Sequence, residues 1–128
     1  MTVDAPIDGR VVTLTAAKAS VPPARLPTLA ERAQAVLGPR REYYRRGYER
    51  LYADDTLEVF LVEADHWDAL ADDLDVTDRE LSAIRRLHEE QLVWVGRRAD
   101  REAAFETALE IRTAVCLGSN DGVDDRPG

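Results

Sequence analysis

A helix-dominated α+β domain, with about five helices and two or three short strands, is what this sequence of 128 residues predicts. Three observations carry that expectation. Apolar residues recur at helical spacing over much of residues 28–118. Thr28, Asp65 and Thr77 each stand in front of such a run, where a side-chain oxygen caps the free amides of a first helical turn. Two short runs, 11–15 (VVTLT) and 56–62 (TLEVFLV), have instead the β-branching of strands.

The N-terminal segment, residues 1–27, reads as the first of these strands followed by a linker, because three prolines between residues 20 and 27 prevent its continuation. A single globular domain spans 28–118. In its first helix Thr28 and Glu31 have capping-box spacing, Leu29, Ala33, Val36 and Leu37 share a face, and Gly38-Pro39 is the stop. Residues 39–52 (PRREYYRRGYERLY) read as a second helix, with Tyr44, Tyr48, Leu51 and Tyr52 on one core-facing arc. The strand 56–62 follows, buried on both faces apart from Glu58.

Beyond it the chain turns helical. Asp65 caps a helix that carries Trp67, Leu70, Ala71 and Leu74 on one side. Thr77 and Glu80 form a second capping box, with Val76 and Leu81 as its hydrophobic staple, and this helix runs to about Val95, where Gly96 weakens it. Residues 92–95 (LVWV) also fit a third strand. A last helix from Asp100 places Phe105, Leu109, Ile111, Val115 and Cys116 inward and ends at Gly118, leaving 119–128 as a disordered acidic tail.

Charge is divided unevenly. Residues 1–53 hold nine basic and five acidic side chains, net +4, whereas 54–128 hold eight basic and twenty acidic, net −12, so the whole carries −8. Sixteen of the seventeen basic residues are arginine, Lys18 being the one lysine, and aspartate outnumbers glutamate fourteen to eleven. This composition resembles that of small acidic cytoplasmic proteins of extremely halophilic archaea, which implies a saline habitat and no particular activity; a GC-rich genome also favours arginine over lysine. The acidic start, the lack of an apolar run long enough to span a bilayer and the single cysteine lead to the expectation of a soluble, cytoplasmic protein without internal disulfides.

Residues 76–90 (VTDRELSAIRRLHEE) resemble the first helix of response-regulator-type helix-turn-helix domains, in their Thr, Arg-Glu-Leu and spaced leucines. That family continues with a glycine turn, a second short helix and a basic recognition helix. Here QLVWVGRRADREAAFETALE follows, ending in an acidic helix that phosphates would repel, so no DNA-reading residues are carried over.

The candidate surfaces are few. All four tyrosines and five of the arginines fall within 39–52. Tyr43 points away from the core arc, with Arg40, Arg46 and Arg50 at helical spacing around it, an arrangement suited to stacking on a base, holding a phosphate or meeting a protein partner. On the central helix Leu87 and Trp94, seven residues apart, widen the apolar stripe and suggest an oligomer interface. His88 and Gln91 on its apolar face suggest a small pocket, or a buried neutral histidine held by one hydrogen bond. His66, His88, Cys116, Asp65 and Asp68 lie on separate segments without ligand spacing, so neither metal nor cofactor is expected. Adjacent carboxylates such as Asp72-Asp73 and Glu89-Glu90 identify no acid or base in so acidic a chain.

The function read from these features is a non-enzymatic protein-interaction or regulatory module acting through helical surfaces, most simply as a homodimer. The alternatives are a nucleic-acid-binding accessory protein using Tyr43 and its arginines, and a small enzyme with a pocket near His88.

Overall fold

The computed structural model describes residues 7–19 and 21–118. Among the described residues, six α-helices accompany a three-stranded antiparallel sheet of order β1-β2-β3, a helix-dominated α+β architecture. The expected tail, 119–128, lies outside the described residues.

Residues 11–15 are not a strand but the middle of helix α1, Gly9–Lys18. Asp8 caps it, its carboxylate accepting the Arg10 N–H at 2.8 Å, and Val11 and Thr15, one turn apart, are buried. Helix propensity disfavours valine or threonine by about 0.7 kcal/mol at most, whereas burying a valine contributes roughly 1.5–3 kcal/mol, so packing decides. The N-terminal segment therefore adds Ile7 and Val11 to the common core.

After a 3-10 turn at Pro23–Arg25 comes α2, Leu26–Leu37, which starts earlier than its sequence signal. It has no side-chain cap, so the Thr28–Glu31 box is not formed, but Leu29, Ala33 and Leu37 face inward as expected. The arginine and tyrosine segment is divided, not one helix. Helix α3, Arg41–Gly47, ends at its glycine, and strand β1, Glu49–Ala53, follows with a register shift between Arg50 and Tyr52. Tyr44 is buried, while Tyr48, Leu51 and Tyr52 leave the helical arc.

Strand β2, Leu57–Glu63, is the middle strand and corresponds to the expected one, except that Glu58 is buried too and only Glu63, at its end, is exposed. Helix α4, His66–Leu74, buries Trp67, Leu70 and Leu74 and ends at Asp75 in the left-handed region, φ 57°. Asp65 occupies its cap position without a side-chain bond.

Helix α5, Asp78–Arg98, has the full capping box: Thr77 Oγ1 accepts the Glu80 N–H at 3.1 Å and Glu80 Oε1 accepts the Thr77 N–H at 3.0 Å. It is continuous through 92–95, which are not a strand, and it shows no turn into a recognition helix. Gly96 has a packing reason, since a Cβ there would lie 2.8 Å from Phe105 Cδ2 and 3.2 Å from Glu102 Cα. Helix α6 thus rests against the bare backbone of α5.

Helix α6 is short, Glu102–Ala108, and the expected last helix gives way to strand β3, Arg112–Gly118. Seven register pairs with β2, from Leu57↔Gly118 to Glu63↔Arg112, outweigh the helical spacing of this segment. Ile111, expected inward, is instead 77% exposed.

The outer edge of β3 is covered by side chains. Trp67 of α4 donates Nε1–H to the Ala114 carbonyl at 3.2 Å, Gln34 of α2 bonds both the Cys116 carbonyl and the Gly118 N–H, and His88 of α5 accepts the Cys116 N–H at Nδ1. This explains the polar groups on the apolar face of α5. Gln91 works likewise, its Oε1 accepting the Asp8 N–H at 2.9 Å and fixing the start of α1.

A candidate docking face around Tyr43 and His66

The sequence-predicted residues separate into those used inside the fold and those left at the surface. Arg50 belongs to the first group. With Arg41 and Arg45 it surrounds the buried Glu58 carboxylate at distances from 2.8 to 3.1 Å, and Arg45 contributes two of the bonds. Burial alone pushes the Glu58 carboxyl up, but the three guanidinium groups more than offset it and hold its pKa below the usual value. Arg40 pairs with Asp73 at 2.7 Å. Arg46 makes no hydrogen bond or ion pair among the described residues.

Tyr43 is 55% exposed, as its place opposite the core arc predicts. Its ring meets the edges of Tyr44 at 5.3 Å and Tyr48 at 5.9 Å. Tyr44 and Tyr48 in turn meet His66 at 5.4 and 5.5 Å. Rings this close touch one another, so they form a continuous wall and leave no cage between them.

This wall lines an open groove of about 690 Å³ between α3 and α4, with Arg40 and Arg46 on one side and Glu63 and Asp65 on the other. The Glu63 carboxylate lies 3.5 Å from His66 Nδ1 and selects the tautomer protonated there, which leaves Nε2 to accept the Tyr44 hydroxyl at 2.7 Å. Burial keeps His66 neutral by lowering its pKa, although Glu63 opposes the shift. Burial likewise raises the Tyr44 phenol, so neither group is a ready nucleophile.

A second cavity, about 390 Å³, adjoins the first through Tyr48 and Glu63 and ends at Ile111 and Arg112. Three large apolar side chains are exposed among the described residues, Leu14, Tyr43 and Ile111, and two of them border this joined surface. Sequence reasoning found Tyr43 and Arg46 but missed Tyr48, Glu63, His66 and Ile111. The spacing of Glu63 and His66 by three residues was a local signal; the approach of Ile111 depends on β3 and had none.

The other candidates are internal. Leu87 is fully buried, and Trp94 is half-buried beneath Arg10, whose guanidinium stands 5.1 Å from the ring centre. Among the described residues, the wide apolar stripe of α5 therefore packs against α1, the element that the sequence read as a strand. His88 and Gln91 are buried on separate hydrogen bonds, to the Cys116 and Asp8 N–H groups. Burial lowers the His88 pKa to about 3 and raises the Cys116 thiol, leaving both neutral. Among the described residues no group of three His, Cys, Asp or Glu side chains is placed to hold a metal ion, and no helix is long and apolar enough to cross a membrane.

The family model described as a domain of unknown function, DUF8048, matches residues 5–119. The chain belongs to this family. No curated protein and no solved structure matches it. The matched span includes α1 as well as β3, so in this DUF8048 member the two elements that depart most from their sequence signals both lie within the family's span.

Proposed function

We propose that this chain is a non-enzymatic protein-interaction module that docks a second copy of itself through the face bearing Tyr43 and Ile111. One observation carries the reading: two adjoining cavities share Tyr48 and Glu63 and are bordered by two of the exposed large apolar side chains. Tyrosine and arginine are enriched among residues that dominate interface energetics, and Tyr43, braced by Tyr44 and Tyr48, loses little freedom on binding.

The charges on this face favour a second copy. Arg46 and Arg112 have no ion pair among the described residues, nor have Glu49 and Asp65, and all four border the joined cavities. A twofold axis requires a self-complementary patch, and a face bearing unpaired charges of both signs can set a guanidinium of one copy against a carboxylate of the other. Nucleic acid fits less well. Two of the three arginines expected to serve it, Arg40 and Arg50, already hold carboxylates, while Glu42, Glu63 and Asp65 would repel phosphate.

The surplus of carboxylates also supports a salt-adapted protein. Two copies of net charge −8 repel, and molar KCl shortens the Debye length to about 3 Å, so both association and thermal stability rise with KCl. Light scattering in molar KCl tests the docking, with a dimer mass expected for the parent. Ile111→Glu and Tyr43→Ala give folded monomers, whereas Leu14→Glu, at the third exposed apolar side chain, leaves the dimer intact. A parent that stays monomeric at high micromolar concentration overturns the proposal, and oligonucleotide binding lost in Tyr43→Ala would favour nucleic acid instead. A melting midpoint unchanged between dilute buffer and molar KCl would remove the salt adaptation.

A further inference from the structure

Away from the docking face, a small cleft of about 260 Å³ lies between the end of α1 and the first turns of α5. Arg79, Ser82 and Arg86 line it from α5 at helical spacing, and Lys18 closes it from α1. Lys18 is neutralised by Glu90 at 2.9 Å. Arg79 and Arg86 have neither a hydrogen bond nor an ion pair among the described residues, although carboxylates outnumber cations on the chain and most of its described arginines have found partners. Asp78 also borders the cleft, but as the first residue of α5 its charge is stabilised by the helix's own free amides.

We infer that this cleft binds a phosphate-type oxyanion. Two uncommitted guanidinium groups supply planar pairs of N–H donors that match the tetrahedral oxygens of phosphate, and the Ser82 hydroxyl between them adds a third donor. Ala19 and Ala83 are small enough to leave the space open. The volume falls below the roughly 300 Å³ of ordinary small-molecule pockets, so it suits the anion itself or a compact monoester, not a whole nucleotide. The ligand is therefore inorganic phosphate or the phosphate end of a small metabolite.

Isothermal titration calorimetry of the intact chain with inorganic phosphate and with methyl phosphate, in about 0.1 M KCl to limit screening, tests the inference. Saturable binding of either is expected. Tighter binding of methyl phosphate assigns the site to a monoester, and the opposite order assigns it to the free anion. Arg79→Gln and Arg86→Gln each weaken binding by roughly tenfold or more, since each removes charge-assisted hydrogen bonds, whereas Arg98→Gln, at the far end of α5, changes nothing. Ser82→Asp keeps both guanidinium groups but brings a carboxylate among them, and it abolishes binding; circular dichroism verifies that each variant is folded. Absence of saturable binding by the parent, or binding by folded Arg79→Gln/Arg86→Gln within about twofold of the parent, overturns the site.

Discussion

Arg45 grips Glu58 with both Nε, at 3.0 Å, and Nη2, at 2.8 Å, so a guanidinium on α3 is locked in a two-bond fork to a carboxylate on the middle strand. Arg41 and Arg50 complete the arrangement from the same helix and from β1. The strongest positive segment of the sequence is thereby tied to the sheet by one buried negative charge.

Glu58→Gln should be among the most damaging single substitutions. It removes the charge that three guanidinium groups surround, and breaking a buried ion pair from one side costs about 3–5 kcal/mol. Arg50→Ala, whose partner keeps two other arginines and whose own side chain is half exposed, should cost less than about 1 kcal/mol. Urea melts of the two variants check the ordering. Because folding lowers the Glu58 pKa from its ordinary 4.5, the stabilisation it brings is complete above that value and is lost as the pH falls through the lower folded value.

His88 adds a second, separable acid sensitivity. Its pKa falls from 6.5 in the unfolded chain to about 3 in the fold, so the unfolded state takes up a proton first and stability declines as the pH drops from 6.5 toward 3. His88→Leu should remove that slope. It should also lower stability at pH 7 by about 1–3 kcal/mol, because the Cys116 N–H loses its acceptor. Denaturant melts at a series of pH values distinguish the two effects; an unchanged slope in the variant would exclude His88 as its origin.

Two glycines should respond in opposite directions to alanine. Gly96→Ala forces a methyl into Phe105 and the Glu102 backbone, and overpacking of this kind costs about 1–3 kcal/mol. At Gly47, the last residue of α3, nothing lies within 4 Å of the added atom and φ is not positive, so Gly47→Ala should stabilise by about 0.4–1 kcal/mol. Thermal melts of both variants are a direct comparison of contact against chain entropy.

What could be read from the sequence was what short-range chemistry decides. Thr77 and Glu80 are three residues apart and bond each other, so the start of α5 was legible. Strand β2 was legible from its β-branching, and the exposure of Tyr43 from its angle to Tyr44. The errors arose where distant partners decide. Val11 and Thr15 are helical because they pack as one face under an Asp8 cap, and the residues of β3 are extended because β2 offers seven pairing positions. The candidate site suffered accordingly: Tyr48 was placed on a helix that stops at Gly47, and Ile111 was turned inward by a helix that stops at Ala108. Asp8 before a run of ten residues, and the β-branched Thr113 and Val115, were the available clues.

The side chains of Trp67, Gln34 and His88 along β3 have a consequence for how this protein meets others of its kind. With those backbone groups already occupied, no foreign strand can extend the sheet on that side, and the opposite edge, β1, is short and broken at its register shift. Screening its charge at high salt therefore removes mutual repulsion without exposing a template for amyloid-like stacking. Concentrated solutions of the folded chain should stay dispersed under the very conditions in which electrostatic protection is weakest.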